Sequence, residues 1–226
     1  MSVCPKLTVA LRYVLACVLL CTGLTGFGQK KIEIDGDATA YVTIHSRKEV
    51  GGLGIVSLYT QKNFCQLRYN YEDNRTFSFL WGRPLTKQTK KAYVQVVPTI
   101  GLSAGNFMGV SPGIQVYAEY KNMEFSNSSQ TSICVTNLNR SFFFTWSEAL
   151  YKVKNIWKVG LSVQYLKQYP TMVRNKELGI TSPPQQQLDL GMVTGVEYWR
   201  FYLCGYVFNA WDAHRHYAVS LTYNFR

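Results

Sequence analysis

The sequence predicts an all-β fold, a transmembrane antiparallel up-and-down β-barrel of about twelve strands over residues 29–226, behind a cleaved signal peptide at 1–28. Three observations predict it. The amino terminus is laid out as an export signal, the chain beyond it alternates apolar and polar residues in steps of two, and aromatics gather near the ends of segments about ten residues long. Composition agrees. With 47% hydrophobic and 16% charged residues, the 226-residue chain has the makings of one folded domain, and it carries Tyr 16, Phe 12 and Trp 5. No run of about 18 apolar residues exists, which excludes a multi-helix membrane protein.

In the export signal, Lys6 and Arg12 precede the apolar run 13–24 (YVLACVLLCTGL), and Gly26 and Gly28 stand just before Gln29. That run is too short to cross a hydrocarbon core of about 30 Å as a helix. Cys17 and Cys21 offer a lipoprotein alternative, but Leu20 is bulky for the position before an acylated Cys21. Cleavage after Gly28 removes Cys4, Cys17 and Cys21. Cys65, Cys134 and Cys204 remain, without CxxC spacing and too few for a disulfide framework, and are expected as small apolar side chains on the wall.

The strands follow from the alternation. In HYAVSLTYNF, Tyr217, Val219, Leu221, Tyr223 and Phe225 share one face, while Ala218, Ser220, Thr222 and Asn224 share the other. In IWKVGLSVQY, Trp157, Val159, Leu161, Val163 and Tyr165 oppose Lys158, Gly160, Ser162 and Gln164; in NFCQLRYNYE, Cys65, Leu67, Tyr69 and Tyr71 oppose Gln66, Arg68, Asn70 and Glu72. The resulting segments are 36–46, 52–60, 62–72, 75–83, 91–103, 109–119, 122–135, 140–151, 155–168, 187–197, 200–208 and 216–225. A transmembrane strand needs about 9–11 residues at its usual tilt. With the amino terminus on the inner side, the proline-containing connection 169–186 falls outside and the turns at 60–62, 120–121 and 198–200 fall inside, the asymmetry expected of such barrels. The tight outer turn at Asp73 and Asn74 and the inner segment 84–90 (PLTKQTK) break this pattern, and a ten-strand barrel is the structural alternative.

The final strand SLTYNFR resembles the closing strand of bacterial outer-membrane barrels, with Phe225 as the near-terminal aromatic and Arg226 as a departure from it. Together with NRTFSFLWGRP, SFFFTWSEALYK and YVFNAWD, the pattern is similar to an uncharacterised group of Bacteroidota outer-membrane barrels. The resemblance implies a cell outer-membrane location and a porin-like fold, with outer-membrane lipid as the surrounding partner. It carries no catalytic residues and no cofactor.

With the apolar face in lipid, the opposite face places Arg68, Glu72, Gln115, Glu119, Lys158, Asp189 and Glu197 in the lumen. In 140–151 two phases compete, Phe142, Phe144, Trp146 and Glu148 against Phe143, Thr145, Ser147 and Ala149. Glu148 is assigned inward because a carboxylate is disfavoured against lipid. Two bases, Arg68 and Lys158, against Glu72, Glu119, Glu148, Asp189 and Glu197 predict an acidic lumen inside a chain of net charge +11. Phe142 and Trp146 would partly fill it. The leading expectation is a narrow channel or a structural surface barrel that passes small polar solutes or none. The alternatives are a soluble exported barrel or sandwich binding a small ligand and, behind that, an outer-membrane lipid hydrolase.

His45, His214, His216 and Ser220 are the residues a hydrolase or a metal site would draw on, but no acidic or Cys partner stands at ligand spacing. HExxH, P-loop and Rossmann motifs are absent from the sequence, and neither enzyme nor cofactor is expected. Export and the barrel pattern argue against nucleic acid as the partner of the basic residues, which lie mainly in connections.

Overall fold

A computed structural model describes residues 34–45, 50–154, 156–169, 186–212 and 215–225. The signal segment, most of the connection 169–186, and His214 lie outside the described residues. The strands are β1 (Asp35–His45), β2 (Val50–Tyr59), β3 (Phe64–Tyr69), β4 (Thr76–Gly82), β5 (Leu85–Gln88), β6 (Ala92–Gly105) and β7 (Gly109–Tyr120). They continue with β8 (Met123–Cys134), β9 (Phe142–Val153), β10 (Trp157–Gln168), β11 (Gln186–Tyr198), β12 (Phe201–Phe208) and β13 (His216–Phe225). Chain neighbours pair antiparallel except β4 and β5, which both pair with β6, and β13 pairs with β1, with Val42 opposite Val219. The sheet therefore closes on itself.

The segment 84–90 is corrected by this structure. Gly82 lies opposite Thr99 and Leu85 opposite Val96, so β4 and β5 run against β6 in one continuous register. Pro84 has no N–H to give the ladder, which interrupts the pairing without ending the strand. Counting β4 and β5 as one, the wall has twelve strands. What remains of the connection is 89–91, closed by Thr89 N–H donating to Ala92 O at 2.8 Å and Ala92 N–H donating to Thr89 Oγ1 at 3.0 Å. The turn at 60–63 repeats that geometry around Thr60 and Asn63. One end of the barrel thus carries the short turns 60–63, 89–91, 121–122, 154–156 and 199–200. The other carries the connections 46–49, 70–75, 106–108, 135–141, 169–185 and 209–215.

The wall is inverted relative to a water-soluble fold. Leu102, Leu161, Phe79, Trp81, Met192, Val219 and Leu221 project outward and exposed. Ser57, Gln66, Arg68, Ser78, Ser111, Ser132, Ser162 and Ser220 project inward and are buried. Tyr120, Tyr151, Trp157, Tyr198 and Trp199 form an exposed aromatic rim at the short-turn end, where an amphipathic ring has both an apolar and a wet neighbour. Cys65 faces outward and half-buried; Cys134 and Cys204 are buried, and all three are free thiols.

Tyr71 is a second correction. The alternation places it outward with Leu67 and Tyr69, but β3 ends at Tyr69 and Asn70 takes φ +61. A left-handed residue breaks the two-residue period. Tyr71 consequently turns inward, where its ring meets Phe144 at 5.8 Å and the Arg68 guanidinium at 4.0 Å.

Candidate functional site in the barrel interior

Three layers of side chains occupy the interior. Nearest the long connections is a cavity of about 360 Å³ lined by Tyr41, Tyr71, Phe142, Phe144 and Trp146 together with Glu72, Gln164, Gln168, Gln187, Asp189 and His216. Asp189 is buried and accepts hydrogen bonds from Gln187 Nε2 at 2.8 Å and Asn209 Nδ2 at 2.6 Å. His216 stacks on Phe208 with centroids 4.8 Å apart and shares the inward face with Ser220.

The middle layer is divided between aromatic packing and a polar bridge. Trp146 on β9 meets Tyr41 on β1 at 5.3 Å and Tyr206 on β12 at 5.8 Å, so aromatic rings reach between strands that are not wall neighbours. Beside them Arg68 on β3 donates from Nε to Gln66 Oε1 at 2.6 Å and from Nη1 to Gln130 Oε1 on β8 at 2.5 Å. Gln115 donates to the same Gln66 oxygen at 3.3 Å, and Gln130 donates to Glu72 Oε1 at 3.3 Å. Glu72 also accepts from Ser78 and lies 3.9 Å from Arg68, with both side chains almost fully buried. A buried charge pair holds only when its remaining donors and acceptors are filled, and here the glutamines and serine fill them.

Glu148 lies on the inward phase of β9 opposite Ser162, whose Oγ accepts from Trp146 Nε1 at 2.8 Å. Its Oε1 is buried without a hydrogen-bond partner among the described residues. The third layer, at the short-turn end, is a line of ion pairs drawn from five consecutive strands, in which each lysine bridges two acids. Lys152 on β9 bridges Glu119 on β7 at 3.0 Å and Glu124 on β8 at 2.6 Å. Lys158 on β10 bridges Glu124 at 3.0 Å and Glu197 on β11 at 2.9 Å.

The closed cylinder is comparable with solved proteins. A KdgM porin superimposes with a TM-score of 0.54 at 9% identity over 84% of this chain and 99% of that one. KdgM porin in complex with disordered oligogalacturonate gives 0.55 at 9% identity over the same shares. NanC porin gives 0.54 at 7% identity, again over 84% of this chain and 99% of the other. The fold is that of these porins. No protein-family model and no curated protein matches the sequence.

The structure therefore brings Glu119, Lys158 and Glu197 into one ion-pair line and Arg68, Glu72 and Gln115 into one bridge, and leaves Glu148 and Asp189 separate. Sequence reasoning missed Glu124 and Lys152, the central members of the line, and Gln66 and Gln130, the ends of the bridge. Parity alone could have found Glu124 and Lys152. Each lies at an inward position just inside a hairpin turn, paired across the same strands as Glu119 and Lys158.

Proposed function

We propose that the chain is an outer-membrane barrel enclosing a narrow, cation-favouring passage. The observation that carries this reading is the inverted distribution of polarity, in which an apolar cylinder surrounds a charged interior. A soluble barrel or sandwich would hold its apolar side chains inside, and an exposed apolar surface on this scale marks contact with lipid or protein. The inward acids Asp37, Glu72, Glu119, Glu124, Glu148, Asp189 and Glu197 outnumber the bases Arg68, Lys152 and Lys158. Fixed carboxylates lower the entry barrier for cations and raise it for anions. An acidic polymer of the kind in the KdgM complex is thus disfavoured here, and small cationic or neutral polar solutes are the cargo that suits this interior.

The test is conductance of the purified full chain in planar bilayers under a salt gradient. A reversal potential of the sign given by cation flow is expected, and anion preference would reject the mechanism. The Arg68 bridge and the Trp146 packing favour a second reading, a closed structural barrel. Absence of conductance both in the native chain and in Arg68→Ala, with the chain folded in the outer membrane, selects that second reading.

A further inference from the structure

A cluster of polar side chains interrupts the apolar exterior at mid-height, on β8 and β9. Asn127 and Ser129 alternate outward with Phe125 and Ile133, and Thr145 and Ser147 are outward on β9. The register sets Asn127 opposite Ser147 and Ser129 opposite Thr145. Asn127 Nδ2 donates to Thr145 Oγ1 at 2.9 Å and to Ser147 Oγ at 2.8 Å, while Ser129 Oγ donates to Asn127 Oδ1 at 2.9 Å. Ser129 and Thr145 hydroxyls are 2.7 Å apart. Because the Ser129 proton is committed to Asn127, the Thr145 proton goes to Ser129, and the Ser147 proton stays outside the circuit. On either side the wall returns to apolar residues, with Ile114 opposite Ser129 on β7 and Val163 opposite Ser147 on β10.

We propose that this patch is the contact surface of a symmetric dimer of the chain within the membrane, an inference that rests on the outer-membrane reading above. Hydrocarbon offers no partner to a hydroxyl or an amide, so the surplus hydrogen-bonding capacity has value only against another protein surface. The patch is complementary to itself. It holds a spare donor at Ser147 and spare lone pairs on Asn127 Oδ1 and the hydroxyls, so a two-fold-related copy supplies acceptors to each Ser147 proton and receives the same in return. Its small side chains also permit the close approach that packing in lipid requires. A different membrane protein would need a matching patch of its own; a second copy already has one.

The test is oxidative cross-linking of full-length Ser147→Cys in isolated outer membranes, beside the native chain and Val42→Cys on a remote outward position. Ser147→Cys is expected to move from the monomer band to a disulfide-linked band of doubled mass, and Asn127→Leu added to it is expected to diminish that band. Val42→Cys and the native chain should stay monomeric. A folded, heat-modifiable Ser147→Cys barrel in the outer-membrane fraction that does not cross-link, links to a band of another mass, or links no better than Val42→Cys overturns the dimer and leaves the location standing. Recovery of the chain in the soluble fraction overturns both.

Discussion

Arg68 Nη1 lies 2.5 Å from Gln130 Oε1 although β4, β6 and β7 separate their strands around the wall. The bond crosses the interior, so it acts both as a tie between distant strands and as an obstruction. Arg68→Ala removes the tie and leaves Glu72 buried beside Ser78 and Gln130 without its cation. Breaking such a pair costs about 3–5 kcal/mol, so the temperature at which the barrel loses its compact gel migration is expected to fall. Adding Glu72→Gln should restore part of the loss, because the stranded charge goes with it. If the double variant is as unstable as the single one, the cost lies in the glutamine contacts instead.

A second expectation concerns the wall. Leu161→Arg or Val219→Arg puts a cation on the outward face and should impair assembly by about 2–4 kcal/mol near mid-bilayer. Ser162 and Ser220, their inward neighbours, do not make tolerant controls. Both are buried, and Ser162 Oγ already accepts from Trp146, so arginine there has no space. Gln168→Arg, on the wall of the open cavity, is the inward control and should assemble normally. Equal defects at Leu161 and Gln168 would contradict the assignment of faces.

Much of the wall was legible because a period of two is local information. Trp157, Val159 and Leu161 announce their face without reference to any other strand. Tyr71 was misread because the left-handed turn at Asn70 changes phase, and neither residue's identity gives the φ. The strand at Leu85–Gln88 was hidden because Pro84 looks like an end when it is only a gap in the ladder. The interior contacts were beyond reach for a different reason. Arg68 meets Gln130, and Trp146 meets Tyr41, only after closure has fixed how far each strand is staggered around the cylinder.

Asn70 supplies a third test. Its φ of +61 is backed by side-chain bonds, Oδ1 accepting from Arg75 N–H at 2.6 Å and Nδ2 donating to Gly52 O at 3.0 Å. Asn70→Val should destabilise the barrel by at least the cost of that backbone conformation, about 1–2 kcal/mol. Asn70→Gly keeps the backbone and loses only the side-chain bonds, so its loss should be smaller. Chemical denaturation from detergent checks the order, and equal losses would place the whole effect in the hydrogen bonds.

The ion-pair line makes the most discriminating prediction because its members differ in exposure. Glu124 is 8% exposed and sits between both lysines, whereas the Glu119 side chain is 36% exposed and touches only Lys152. Glu119→Gln removes a solvent-screened pair worth about 0.2–1 kcal/mol, so stability should scarcely change. Glu124→Gln deprives two cations of their shared, desolvated partner and should be clearly more destabilising. For ion flow the two variants should agree in sign, since each removes a fixed negative charge from the same mouth and lowers the ratio of cation to anion permeability. Glu119→Gln therefore separates the electrical role of the line from its structural role. A shifted reversal potential with unchanged thermal stability supports the acidic passage, and an unshifted one in a conducting, folded barrel would show that ions do not pass along this line of charges.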